Sequence, residues 1–198
     1  MELRRAIRGR RMVRSFDGSP VAPEVIDRVL DAARRGPSAG FAQGVDLLVL
    51  EGAEQTGRYW DLALADPQRR ARFRWPRLLA APVLVVVLTS PSAYHARYGE
   101  ADKTSSGAGG PDVWLVPWWW VDGGMAAMLL LLAAVDEGLG ALLFTTEHPG
   151  SLLPAFGVPD DRLALATVAL GHPTQDEPGQ SSTRPRRPLH DVVHRGHW

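Results

Sequence analysis

Val83-Leu84-Val85-Val86-Val87-Leu88, opened by Pro82, is an unbroken apolar run dominated by β-branched residues. A strand with one wet face alternates apolar and polar residues. A strand with no polar position is covered on both faces and belongs in the middle of a sheet. Residues 163–170, ended by Gly171, read as a second central strand, and 45–50 and 141–144 as shorter ones. Between them, Val25, Ile26, Val29, Leu30 and Ala33 recur at helical spacing from Pro23, and Gly36-Pro37 ends that pattern. Residues 121–137 read as a long core helix. Their apolar stretch, 125–135, is too short to cross a bilayer and is flanked by Asp122 and Asp136.

The remaining segments are less regular. Residues 1–12 resemble a short amphipathic helix with its arginines outward, and 59–79 an Arg-rich helical stretch broken at Pro67. A further helix is expected over 151–156. Residues 89–117, polar and rich in Gly and Ser, read either as a mobile substrate lid carrying Tyr94, Tyr98 and Lys103 or as a disordered insertion. Residues 173–188 are a tail rich in Pro, Ser and Arg. Strands alternating with helices predict an α+β layer fold, a central mixed β-sheet flanked by helices, in a single domain over 1–198.

Composition narrows the function. Of 198 residues, 45% are hydrophobic, which supports a sizeable core. Lys+Arg and Asp+Glu both number 22, a balance that argues against nucleic acid or a membrane surface as partner. The balance is uneven along the chain: Arg4, Arg5, Arg8, Arg10, Arg11 and Arg14 crowd the start, and Arg184, Arg186 and Arg187 the end. The absence of cysteine excludes disulfides, iron–sulfur clusters and thiol catalysis, and with no apolar leader it fits a cytoplasmic protein.

Arg10 and Arg14, at helical spacing, share a face on which two guanidinium forks can meet one phosphate; a solvated basic face is the plainer reading. The small residues of Pro37-Ser38-Ala39-Gly40-Phe41-Ala42-Gln43 let backbone N–H groups approach a flat ligand, and the same residues also make an ordinary helix-ending turn. Trp114, Trp118, Trp119 and Trp120 read as ligand contacts or as core and interface anchors. Gly138-Leu139-Gly140 follows a helix and lacks a third Gly, so it is not a dinucleotide fingerprint. His190, His194 and His197 have no acidic or cysteine partner in a metal-site pattern, so no metal is expected.

The order of these blocks is more specific than any one of them. Arg10-Arg11-Met12-Val13-Arg14-Ser15-Phe16 followed by the block from Ala32 to Gln43 resembles the N-terminal signature of the nitroreductase family. Trp120-Val121-Asp122-Gly123-Gly124-Met125 and Ala133-Ala134-Val135-Asp136-Glu137-Gly138-Leu139-Gly140 are similar to its central helix and Gly-Leu-Gly exit. Val168-Ala169-Leu170-Gly171-His172-Pro173 is similar to its last core strand, and the stretch from Arg184 to Val193 to its basic C-terminal motif. Met12 stands where many members have Ser, and Gly44 follows Gln43 where Pro and then Trp are common.

The resemblance implies a homodimer with the long helix at its interface and FMN bound between the chains. Arg10, Arg11, Met12 and Arg14 would hold the phosphate and ribityl end, with Arg184, Arg186 and Arg187. Pro37, Ser38, Ala39, Gly40 and Gln43 would come from the second chain toward the isoalloxazine. Phe144 and Thr145 match the stretch over the flavin face near N5. No catalytic side chain is expected, because FMN N5 itself would take hydride from NADH or NADPH and pass it to a nitroaromatic, a quinone or another electron-poor small molecule. Other flavin chemistries on the same scaffold (flavin fragmentation, dehalogenation) and a non-catalytic flavin-storage role use the same residues.

Overall fold

The apolar run at 83–88 does form an inner strand. The computed structural model describes residues 2–105, 110–175, 179 and 183–198. In chain order its elements are α1 (Leu3–Gly9), α2 (Pro23–Ala33), β1 (Val45–Glu51), α3 (Gly52–Ala63), α4 (Pro67–Ala71), β2 (Val83–Thr89), α5 (Pro91–Tyr98), α6 (Ala101–Thr104), α7 (Trp118–Asp136), β3 (Gly140–Phe144), α8 (Pro149–Ala155) and β4 (Leu163–Gly171). The strands order as β1-β2-β4-β3, which puts the two strands read as central, β2 and β4, inside the sheet.

All three pairings are antiparallel, so among the described residues the sheet is not the mixed one expected. β1 leaves the sheet at Glu51, beside the first residue of β2, Val83, and β3 leaves at Phe144, beside Thr167 of β4, so in each neighbouring pair the chain re-enters at the end it left. Every β2 residue is buried. Its side chains alternate between two cores as the pleat requires. Leu84, Val86 and Leu88 join Phe16, Tyr59, Trp60 and Leu152 beneath α3 and α8. Val83, Val85 and Val87 join Val29, Ala33, Leu130 and Ala134 beneath α2 and α7. The result is three layers, helix–sheet–helix.

Helix α7 is apolar on every side and has the length and composition of a membrane-crossing helix. Here it is a core element: Ala126, Ala127, Leu130, Leu131 and Ala134 are buried, and it packs against α2 and the sheet. Gly123 brings its N-terminal half close, since a Cβ there would lie 2.8 Å from Thr89 Cγ2.

The stretch read as helical over 59–79 starts earlier, at Gly52, and breaks into α3, α4 and a 3-10 turn at Pro76–Ala80. The N-terminal helix is shorter than 1–12, ending at Gly9. After it the chain runs extended beside β3, with Val13 N donating to Ala141 O at 2.9 Å and Phe16 bridging Pro173. Two glycines permit that docking: a Cβ on Gly140 would sit 2.9 Å from Val13 Cγ1, and one on Gly171 would sit 2.6 Å from Pro82 Cδ and 3.0 Å from Phe16 Cδ1.

The pyrrolidine ring of Pro82 cannot swing away, so Gly171→Ala should destabilise the protein by about 1–3 kcal/mol. Gly57→Ala, in the middle of α3 with nothing within 4 Å of the added carbon, should stabilise it by up to about 1 kcal/mol. Urea unfolding of the two variants checks both signs.

Candidate functional site

The register separates the expected site residues into two groups. Val45 pairs with Thr89 and Thr89 with Leu163 at one end of the sheet, and Glu51, Val83 and Leu170 align at the other. The loop 37–43 leads into Val45, whereas Arg14 lies between Val13 and Phe16, docked beside Ala141 and Pro173. At about 3.4 Å per residue, the length of β1 places the two groups about 20 Å apart within one chain.

At the cationic end, residues 10–15 are not helical, so the helical spacing expected for Arg10 and Arg14 is wrong. In an extended chain, residues four apart also fall on one side, so the same grouping arises from period two. Arg10 Nη1 is buried with no hydrogen-bond partner among the described residues. Arg11 is exposed and Met12 half-buried, packed against both cores. Arg14 donates to Met12 O at 3.0 Å and lines a cavity of about 190 Å³ with Arg74, Trp75, Arg77 and Gln175. The Trp75 ring carries the Arg74 guanidinium at 4.4 Å and that of Arg14 at 5.4 Å. Arg14 and Arg74 lie over the Trp75 ring and Arg77 lines the same cavity, which gathers positive charge beside an aromatic surface. Gly179 backs onto it, since a Cβ there would lie 3.2 Å from Arg14 Nη1.

Arg74, Trp75 and Arg77 escaped the sequence reading because they sat in a stretch read simply as an Arg-rich helix. Arg184, Arg186 and Arg187 are exposed on the C-terminal segment, with Arg187 donating to Asp191 O. Phe144 turns its ring into the core, stacked on Trp60 with centroids 5.5 Å apart. Phe144 is half-buried, and the next residue, Thr145, is exposed.

At the other end, the loop is strained. Gly40, Phe41 and Gln43 have φ of 60°, 58° and 51°, and two of the three are not glycine. Its internal bonds run from Gln43 N to Ser38 Oγ at 2.9 Å and from Phe41 N to Ser38 O at 2.8 Å. Ala39 N donates to Asp122 Oδ2 at 2.8 Å, and the Tyr94 hydroxyl donates to the same oxygen at 2.6 Å. Burial, reinforced by that carboxylate, pushes the Tyr94 hydroxyl well above the usual tyrosine range, so it stays a donor. Arg97 Nε holds Gly40 O at 2.8 Å while its two terminal nitrogens grip Asp102 at 2.8 and 2.7 Å. Added methyl groups would strike Tyr98 from Gly40 at 2.7 Å and Tyr94 from Gly44 at 2.4 Å.

The residues that press on the loop come from 89–117, the segment expected to be a lid or a disordered insertion. It forms α5 and α6 instead, and Tyr94 is fully buried; residues 106–109 lie outside the described ones. Trp114 and Trp119 pack edge-on or tilted around Tyr94, as anchors. Among the described residues no group of acids and histidines could hold a metal ion.

This fold and these blocks match the Nitroreductase family model over residues 7–172. The chain belongs to the nitroreductase family. Solved structures with the same fold include a nitroreductase family protein from Clostridium difficile 630, 19% identical, TM-score 0.72, with 100% of each chain covered. An FMN complex from Desulfovibrio desulfuricans is 24% identical with TM-score 0.69, covering 98% of this chain and 95% of that one. Another FMN complex, from Exiguobacterium sibiricum 255-15, is 18% identical with TM-score 0.76, covering 98% and 97%. No curated protein matches the chain. Family membership makes this a flavin oxidoreductase in general terms.

Arg97 braces the strained loop, so Arg97→Ala should raise amide exchange at Ala39, Phe41 and Gln43 by about tenfold, with β2 amides unchanged. The hydrogen bonds from Arg97 lower the Asp102 carboxyl from 3.8 to about 2. A depressed carboxyl stabilises above its unfolded value, so the brace is complete above 3.8 and is lost as pH falls through about 2. Exchange protection of the loop, corrected for intrinsic rates, should therefore be flat at neutral and mildly acidic pH.

Proposed function

We propose that this nitroreductase-family chain is an FMN-dependent oxidoreductase of the cytoplasm, a homodimer that moves hydride from NADH or NADPH to an electron-poor small molecule such as a nitroaromatic or quinone. The observation that carries the reading is Arg10 Nη1, buried without a protein acceptor. A charged N–H left that way costs more than about 1–3 kcal/mol, and the phosphate of FMN is an acceptor of the right charge. Arg14, Arg74 and Arg77 supply further positive charge around Trp75. FMN, when bound, supplies the hydride chemistry. The chain's part is to hold the phosphate with guanidinium groups, offer Thr145 and the backbone at Phe144, and exclude water.

Two features support a dimer. The anion pocket and the loop 37–43 stand at opposite sheet ends, so a second copy is needed to bring a loop to the flavin ring. Helix α7 also leaves an apolar stripe at helical spacing, with Met125, Leu129 and Leu132 half-buried and Met128 43% exposed. Leu3 and Ile7 of α1, which packs on α7, are exposed as well.

The purified chain, reconstituted with FMN, should show a flavin absorption band that NADPH or NADH bleaches without air and a nitroaromatic or quinone restores. A bound flavin that resists bleaching by both nicotinamides overturns the catalytic reading in favour of storage. Arg10→Ala and Arg14→Ala should each weaken FMN binding about 10- to 100-fold with the fold intact. Riboflavin, which lacks the phosphate, should bind Arg10→Ala as it binds the parent; unchanged FMN affinity would remove the phosphate assignment.

A further inference from the structure

Asp122 is an acid inside the most apolar helix of the protein and is only 2% exposed. One of its oxygens, Oδ2, takes hydrogen bonds from two separate elements, the loop amide of Ala39 and the α5 hydroxyl of Tyr94. Gly123, pressed against Thr89 and Leu165, fixes the height of α7 over the sheet and so fixes where that oxygen stands. A solvated aspartate would serve α7 just as well, so the burial calls for another explanation. The contacts go to a loop whose backbone departs from ordinary geometry at Gly40, Phe41 and Gln43. That loop also presents Phe41, 72% exposed, away from the core.

We propose that Asp122 is a positioning residue of the flavin site, its buried carboxylate tying Ala39 and Tyr94 together so that the strained loop 38–43 is preformed against the flavin ring of the second chain. This rests on the reading above that the loop packs on the isoalloxazine. Asp122 touches neither flavin nor substrate; it acts through the loop. Its effect therefore falls on the ring end of the cofactor and leaves the phosphate end alone.

The test titrates the full-length protein with FMN and, separately, with riboflavin, following flavin fluorescence, in the parent and in Asp122→Ala, Asp122→Asn and Tyr94→Phe. Asp122→Ala should weaken both flavins by the same factor, about tenfold or more, and Tyr94→Phe by a few-fold. Asp122→Asn, whose amide oxygen can still accept, should recover part of the loss. The ratio of the two dissociation constants stays at the parent value, whereas Arg10→Ala lowers the preference for FMN. Apoprotein melting is recorded alongside, since a merely structural role lowers it and leaves both affinities, taken well below the transition, unchanged. Parent-like affinity for both flavins in Asp122→Ala and Tyr94→Phe overturns the inference, as does a loss confined to FMN; in either case the flavin reading itself survives. A parent protein that binds neither flavin overturns both. Should Asp122→Ala fail to fold, Tyr94→Phe and Asp122→Asn decide the matter alone.

Discussion

Burial of β2 on both faces is the constraint from which the rest of the molecule follows. A strand with no polar position needs a helical layer above and below, and it needs a neighbour on each edge to satisfy its backbone. Those layers are α2 with α7 and α3 with α8. Once the faces are covered, the two ends of the sheet remain accessible, and the chain treats them differently. One end receives the N-terminal segment, docked through the close approaches at Gly140 and Gly171, together with the arginines that follow α1. The other receives the loop after α2, clamped by α5 and α7. The separation of the arginine-lined cavity from the strained loop is thus a consequence of how the core is built.

What was legible in the sequence is what patterning encodes. The β-branched run, the spacing of α2 and the apolar stretch of α7 each specify an element through burial alone, and each is found within a few residues of its expected bounds. Sheet direction was not legible, because helical connections are compatible with either sense and only the path over the sheet decides. The helix-or-extended choice at Arg10 and Arg14 was equally open, since residues four apart share a side in both. Segment 89–117 hid its helices because they are short, and α5 starts at a Ser–Pro boundary, where composition alone reads as loop. Its order comes from a few tertiary contacts, chiefly fully buried Tyr94. Asp122 did leave a signal, an acid at the start of the long helix, but it read only as a flank of the apolar stretch 125–135. Its partners lie 28 and 83 residues away, beyond any local pattern.

The loop shows why such distant partners are needed. Two bulky or polar residues held in the left-handed region, Phe41 and Gln43, cost about 1–3 kcal/mol each. The loop's own bonds, from Gln43 N to Ser38 Oγ, Phe41 N to Ser38 O and Ala42 N to Ala39 O, contribute about 0.5–1.5 kcal/mol each, less in total than the strain together with the cost of ordering the loop. The hydrogen bond to the buried, charged Asp122 contributes about 1.5–3 kcal/mol, and the hold of Arg97 on Gly40 O adds to it, which tips the balance toward the strained form. Charged anchors are therefore required where neutral ones would fall short. They must also be rigid, because a mobile anchor returns the ordering entropy it is meant to remove. Asp122 meets that condition through burial in α7, and Arg97 through its two-pronged grip on Asp102. A loop preformed in this way can meet a flat ligand without a further ordering cost, the advantage that the proposed site, shared between two chains, would most need.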